Sequence, residues 1–143
     1  VLFVCLGNIC RSPAAQAAVT QRRTDLPLDS AGTGGWHVGK PPYDPMKEAA
    51  HARGLDLSIL RARHFAVEDF HRFDVIVAMD EQNAEDIEAL RPDGAITPVV
   101  LFTDHIGEEG MSVPDPYYTR DFDGCLDLIE ACADGFVAGL TQP

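Results

Sequence analysis

Eight residues near the start of the chain, Cys5-Leu6-Gly7-Asn8-Ile9-Cys10-Arg11-Ser12, combine a nucleophile, a permanent cation and two residues tolerant of unusual backbone angles. A short loop of this kind, leading into a helix, can curl until successive backbone N–H groups converge on one tetrahedral anion, with the helix dipole adding to the field. Gly7 and Asn8 are the residue types that accept the positive φ such a curl demands. Arg11 offers a planar fork for two phosphate oxygens, where lysine would offer only a point charge. The same field favours the thiolate of Cys5, which is the nucleophilic form. Ser12 can donate to that sulfur at rest and again to the departing thiolate. The chemistry these types can do is nucleophilic attack by sulfur beside a bound tetrahedral anion, with phosphate or vanadate as ligands of the resting loop. A cysteine separated from an arginine by five residues also fits a buried structural thiol beside a surface cation, so the context of the motif has to decide.

That context is a strand feeding a helix. Val1-Leu2-Phe3-Val4 is a continuous apolar run suited to a strand covered on both faces, and Ser12-Pro13 opens an alanine-rich helix that ends near Arg22-Arg23. A second strand is expected around Leu28 to Ala31, followed by a glycine- and proline-rich loop from Gly32 to Pro42 that carries Trp36. Asp44-Pro45 reads as the cap and first residue of another helix, with Gly54 as its stop. Asp74 to Met79 is a third strand, and Asp80 caps a helix over Glu81 to Leu90. Pro98 to Phe102 gives the last strand, and a long loop from Thr103 to Tyr118 contains Asp115-Pro116. From Phe122 to Leu140 apolar residues recur at helical intervals, with Cys125 and Cys132 among them. Alternating strands and helices make an α/β three-layer sandwich, a four-stranded parallel sheet with helices on both faces and its ligand site at the carboxyl ends of the strands.

The 143 residues argue for one domain, 1–143, and 23 acidic against 11 basic residues give a net charge of −12. Such a charge repels nucleic acid and anionic membrane surfaces, so phosphate binding has to be local and neither is expected as a partner. No apolar run approaches a membrane span and no basic-then-apolar leader opens the chain, so the expectation is a cytoplasmic protein. Four cysteines are too few for a secreted disulfide scaffold. Cys125 and Cys132, seven residues apart on one helix, stand ~10.5 Å apart along its axis, which favours packing over a disulfide. Cys10, in the same loop as Cys5, has two readings: a small apolar residue beneath the loop, or a thiol that captures an oxidised Cys5. His37, His51, His64, His71 and His105 show no ligand spacing with the cysteines, so no metal site is expected.

The chain resembles the low-molecular-weight protein tyrosine phosphatases. The resemblance rests on Val4 to Pro13, then Asp29-Ser30-Ala31-Gly32-Thr33 with Trp36, then Met79-Asp80, and finally Asp115-Pro116-Tyr117-Tyr118, in that order. It implies strand order 2-1-3-4, phosphotyrosine-containing protein substrates and a cofactor-free, metal-free reaction through a phosphocysteine. By the same carry-over Cys5 is the nucleophile, Arg11 binds the phosphate, and Asp115 is the general acid and then the base. Leu6, Gly7, Asn8, Ile9, Cys10 and Ser12 would form the anion loop, with Trp36 and Tyr117 as walls of a slot for a flat ring. The chemistry agrees, since a phenolate leaving phosphorus needs a proton donor from a second loop at the same strand ends.

The chain departs from the family at Leu60, where a histidine three residues before Arg63 commonly helps hold the loop asparagine; Ser12 and Ser30 remain available to Asn8. Arsenate reductases of the same fold would need a cysteine pair after the third strand, and Asp80 to Leu90 contains none. Protein-arginine phosphatases typically carry threonine where Ile9 stands. A catalytically silent phosphate-binding module would have no use for Cys5 and Asp115 together with Arg11 and Ser12.

Overall fold

The computed structural model describes residues 1–106 and 112–140. Four strands, β1 (Leu2–Cys5), β2 (Asp29–Gly32), β3 (Ile76–Ala78) and β4 (Val99–Leu101), form one sheet in the order β2-β1-β3-β4. Every pairing is parallel, and Val4 lies opposite Ala31 on one side and Ala78 on the other. The first strand is therefore central, which is why its sequence is apolar throughout. Alternation divides its side chains between two cores. Leu2 and Val4 pack with Phe65, Phe70, Ile76, Ala78 and Ile87, while Phe3 and Cys5 face the larger core.

Two long helices build that larger core, α1 (Arg11–Arg22) and, at the C-terminal end, Phe122–Ala138. Ala14, Ala15 and Ala18 of α1 lie fully buried, and these short side chains let the C-terminal helix approach closely with Leu126, Ile129, Cys132 and Phe136. The helix α2 (Asp44–His51) adds Met46 and Ala50 to this side. The opposite face is covered by the one-turn helix α3 (Asp69–Arg72) and by α4 (Glu81–Glu88). A further single turn, α5 (Pro116–Thr119), precedes the C-terminal helix, which becomes α6.

Several boundaries differ from the sequence expectation for local reasons. Helix α1 starts at Arg11 with Cys10 as its cap, one residue before Ser12, because the Ser12 hydroxyl is engaged inside the loop rather than at the helix end. Helix α2 takes Asp44 as its first residue, and Asp44 pairs with Lys47 instead of capping. Gly54 does end that region, with φ +80°. The capping of α4 by Asp80 is as expected, its side chain accepting from the Asn83 N–H. The strands β3 and β4 are shorter than their apolar runs. The one-turn helices α3 and α5 and a 3₁₀ turn over Phe102–Ile106 were not legible, being too short to establish a period. Residues 107–111 of the expected Thr103–Tyr118 loop lie outside the described residues.

Candidate active site

The loop from Cys5 to Arg11 joins the end of β1 to the start of α1. It is held from outside through its carbonyls: Thr33 N–H donates to Cys5 O (2.9 Å), Gly34 N–H to Leu6 O (2.9 Å) and Tyr43 N–H to Ile9 O (2.9 Å). With carbonyls turned outward, the amides turn in. The N–H groups of Gly7, Ile9 and Cys10 meet no acceptor among the described residues, and that of Asn8 points at Cys5 Sγ (3.3 Å). Amides left without an acceptor beside Cys5 Sγ are what a tetrahedral anion would take up. Asn8 adopts φ +58°, the left-handed conformation for which asparagine is suited. Gly32 lies against the loop, where a Cβ would come within 2.7 Å of Leu6 O, so only glycine lets β2 sit there.

The Asn8 side chain ties the loop together. Its Nδ2 donates to Ser12 Oγ (2.7 Å) and Ser30 Oγ (3.0 Å), while its Oδ1 accepts from the Arg63 N–H (2.9 Å). Both serines are thus used as expected, and a main-chain amide supplies what Leu60 does not. Ser12 Oγ also lies 3.1 Å from Cys5 Sγ, placing a hydroxyl on the sulfur.

Arg11 is nearly inaccessible to solvent and points to the far side of the loop opening. Its Nη1 donates to Asp80 Oδ2 (2.7 Å) and Val113 O (3.0 Å), and its Nη2 to Asp115 Oδ2 (3.4 Å). Burial opposes the guanidinium charge, but Cys5, Asp80 and Asp115 outweigh it and raise its pKa above the ordinary value. Asp80 does two jobs with two oxygens: Oδ1 caps α4 (2.7 Å from the Asn83 N–H) and Oδ2 anchors Arg11. Asp80 is legible in the sequence as a helix cap and as part of the Met79-Asp80 stretch of the family resemblance, but nothing local signals a partner 69 residues away. Asp115 is held as the cap of α5, accepting from the Tyr117 N–H (3.1 Å).

A cavity of about 330 Å³ opens above the loop. Cys5, Leu6, Gly7, Ile9, Cys10 and Arg11 form its floor, with Asp115 at one side. Trp36 and Tyr117 stand in its wall, 69% and 43% exposed, and are joined by His37 and Tyr118, to which the sequence assigns no place in the slot. Ser12 and Asn8 support the floor from beneath. Cys10 is buried, and burial together with the neighbouring Cys5, Asp115 and Cys125 raises its thiol pKa well above normal. Cys125 and Cys132 are buried on α6 as expected. Among the described residues no cluster of His, Cys, Asp or Glu could hold a metal ion.

The family model described as low molecular weight phosphotyrosine protein phosphatase matches residues 1–143. The low molecular weight protein-tyrosine-phosphatase YfkJ of Bacillus subtilis is 35% identical over 149 residues, covering 99% of this chain and 96% of the relative. The YfkJ crystal structure has a TM-score of 0.89 to this fold at 34% identity, covering 96% and 91% of the two chains. PtpA of Staphylococcus aureus, a low molecular weight protein-tyrosine-phosphatase, is 35% identical over 144 residues, 96% of this chain and 90% of PtpA. The crystal structure of a drosophila arginine phosphatase also matches, with a TM-score of 0.88, 30% identity and coverage of 96% and 94%. A family match along the whole length, with a relative 35% identical over nearly all of both chains and a solved structure of the same fold, means that this chain belongs to the low molecular weight phosphotyrosine protein phosphatase family.

Proposed function

We propose that the protein is a protein tyrosine phosphatase that hydrolyses phosphotyrosine and aryl phosphates through a phosphocysteine. One observation carries this reading: Cys5 Sγ lies at the floor of an aromatic-walled cavity, ringed by inward amides, with the Asp115 carboxylate fixed across the opening by Arg11. Phosphate oxygens occupy the amides of the loop and the Arg11 fork, which releases Arg11 Nη2 from Asp115. Cys5 thiolate attacks phosphorus, the S–P bond forms and the bond to the phenolic oxygen breaks. The bound phosphate monoester brings a proton, which Asp115 takes up once Arg11 has left it and then gives to that oxygen, so tyrosine leaves neutral. Asp115, now ionised, takes a proton from water, which attacks phosphorus. The S–P bond breaks, inorganic phosphate departs, and Ser12 steadies the returning thiolate. The reaction as written uses no cofactor and no metal.

Selectivity belongs to the same proposal. A phosphotyrosine ring spans the depth between Tyr117 and Trp36 at the rim and Ile9 at the floor, a reach phosphoserine lacks. Ile9 also stands where arginine phosphatases typically carry threonine, so phosphotyrosine is preferred to phosphoarginine. The test is kcat/KM on matched phosphotyrosine, phosphoserine and phosphoarginine peptides, repeated with chelator. Phosphotyrosine is expected to lead and chelator to change nothing. A lead for phosphoarginine replaces the substrate class, and no turnover of any of them leaves a binding module.

Two finer readings complete the proposal. Cys10 serves as the resolving thiol when peroxide oxidises Cys5 to a sulfenic acid: Cys10 attacks that sulfur, a disulfide forms and water leaves. The buried position and raised pKa of Cys10 mean that the loop must open for this attack. A cytoplasmic location fits four free thiols, and no described helix is long and apolar enough to cross a membrane.

A further inference from the structure

Asn8 is the residue of the loop whose backbone most needs support, since it is buried in a left-handed conformation. Two of its three side-chain bonds go to serines within or beside the loop, and the third comes from the Arg63 N–H. That amide belongs to an irregular segment which meets β2 through a bridge between Gly32 and His64. Gly32 N–H donates to Arg63 O (2.9 Å) and Phe65 N–H to Gly32 O. The Arg63 side chain does more. Its Nε donates to Asp29 Oδ2 (3.0 Å), its Nη1 to Asp69 Oδ2 (3.0 Å) and its Nη2 to Asp69 Oδ1 (3.1 Å).

Asp69 is fully buried at the start of α3 and is far from idle there. Besides the two-point grip on Arg63 it accepts the Ala66 N–H (2.9 Å), and Arg72 approaches to 3.6 Å. A carboxylate is costly to bury and is retained only with its oxygens satisfied, as they are here. Two-point guanidinium–carboxylate contacts fix orientation as well as position. Burial alone would lower the Arg63 pKa, yet the bonds to Asp69 and Asp29 carry it above the ordinary value. Asp69 lines no part of the catalytic cavity.

We infer that Asp69 is a positioning residue for the catalytic loop: with Asp29 it clamps Arg63, the clamp sets the Arg63 N–H against Asn8 Oδ1, and Asn8 is thereby held in the left-handed conformation that turns the loop amides inward. This rests on the phosphatase reading of the site. Leu60 makes the clamp matter more in this chain, because its side chain brings no polar group to Asn8 and packs at the edge of the apolar core instead.

The experiment separates positioning from mere stability. Asp69→Asn, the apolar pair Arg63→Met with Asp69→Leu, Asn8→Ala, and Asn8→Ala in the apolar-pair background are compared with the parent protein. Melting temperature, vanadate affinity by calorimetry, and kcat and KM on an aryl phosphate are measured for each. Apolar replacement of a buried ion pair often preserves stability, so the pair should melt near the parent protein while binding vanadate at least tenfold more weakly. Asn8→Ala should cost tenfold or more in the parent background and less than threefold in the apolar pair, because both changes release the same loop. Vanadate affinity and kcat within twofold of the parent in the apolar pair would overturn the inference, as would an equal cost of Asn8→Ala in both backgrounds. Should the pair fail to fold, Asp29→Asn at the half-exposed end of the clamp takes its place. It is expected to weaken vanadate at unchanged melting temperature, and an unchanged affinity overturns the inference equally. Vanadate binding that depends on the clamp in a protein without aryl phosphatase activity would sink the phosphatase reading alone.

Discussion

Asp115 is engaged twice in the resting site, through one oxygen to the Tyr117 N–H and through the other to Arg11. The helix-cap bond sets the carboxylate at the cavity edge, and in the proposed mechanism the ion pair is the contact that a bound phosphate replaces. Asp115→Asn retains the cap and loses the proton. Turnover of phenyl phosphate or phosphotyrosine should fall by roughly 10²–10⁴, with far smaller losses for leaving groups that need no proton. A leaving-group series measures this, and equal losses across the series would leave Asp115 a structural turn. Cys10 offers a second test at the same scale. Peroxide should inactivate the enzyme, dithiothreitol restore it and bound phosphate protect it. In Cys10→Ser the inactivation should become largely irreversible as Cys5 proceeds to the sulfinic acid. Mass spectrometry decides between the two readings of Cys10, since full recovery of Cys10→Ser, or no peptide joining Cys5 to Cys10, removes the resolving role.

Two glycines show how elements divide stability from function. Gly135 lies on α6 where a Cβ would overlap the His105 carbonyl oxygen of the 3₁₀ turn, so the close approach of α6 to that turn requires glycine. Gly32 ends β2 against the catalytic loop, with Leu6 O, Gly7 C and the Asn8 Cβ all near the place of an added methyl. Gly135→Ala should destabilise the fold by ~1–3 kcal/mol, the usual cost of overpacking, and leave kcat per folded molecule close to normal. Gly32→Ala pushes on the cradle instead. It should lower kcat and vanadate affinity out of proportion to its change in melting temperature. Thermal denaturation beside active-site titration distinguishes the two, and similar activity losses per folded molecule would show that no such division exists. Short elements matter to this site as much as long ones: α3 presents Asp69 and α5 presents Tyr117 and Tyr118, each from a single turn.

For the molecule as a whole, the buried thiols couple stability to alkaline pH. Burial pushes Cys125 and Cys132 on α6 up to about 12, while thiols in the unfolded chain ionise near ~8.5. Below that lower value both states are protonated and the contribution is intact. Between the two values the unfolded chain loses protons that the folded one keeps, so stability falls as pH rises, by at most about 1.4 kcal/mol per pH unit for each thiol. Urea midpoints between pH 7 and 10.5 should therefore decline, and the decline should flatten when Cys125→Ala and Cys132→Ala are combined. An unchanged slope in that variant would place the alkaline sensitivity elsewhere. The net charge of −12 works in the same direction at the surface and is screened by salt, whereas the buried thiols are not, so the experiment belongs in high salt.

By itself the sequence determined what lies close along the chain. The cradle from Cys5 to Ser12 was legible because its residues act within one turn of one another, and β1 because a strand buried on both faces has to be apolar throughout. Alternation of strands and helices gave a parallel sheet, and resemblance to the family supplied its order and the part of Asp115. Tertiary structure alone decided the partners that hold these residues still. Arg11 finds Asp80 across 69 residues and Asn8 finds the Arg63 amide across 55, and neither Asp80 nor Arg63 stands in a pattern that names its partner. Asp69 was silent for the same reason: an acidic residue between Glu68 and Phe70 looks like a solvated helix start until packing buries it. Local conformation is written in neighbouring residue types, whereas the position of a charge or an amide in space is fixed only when distant segments close around it.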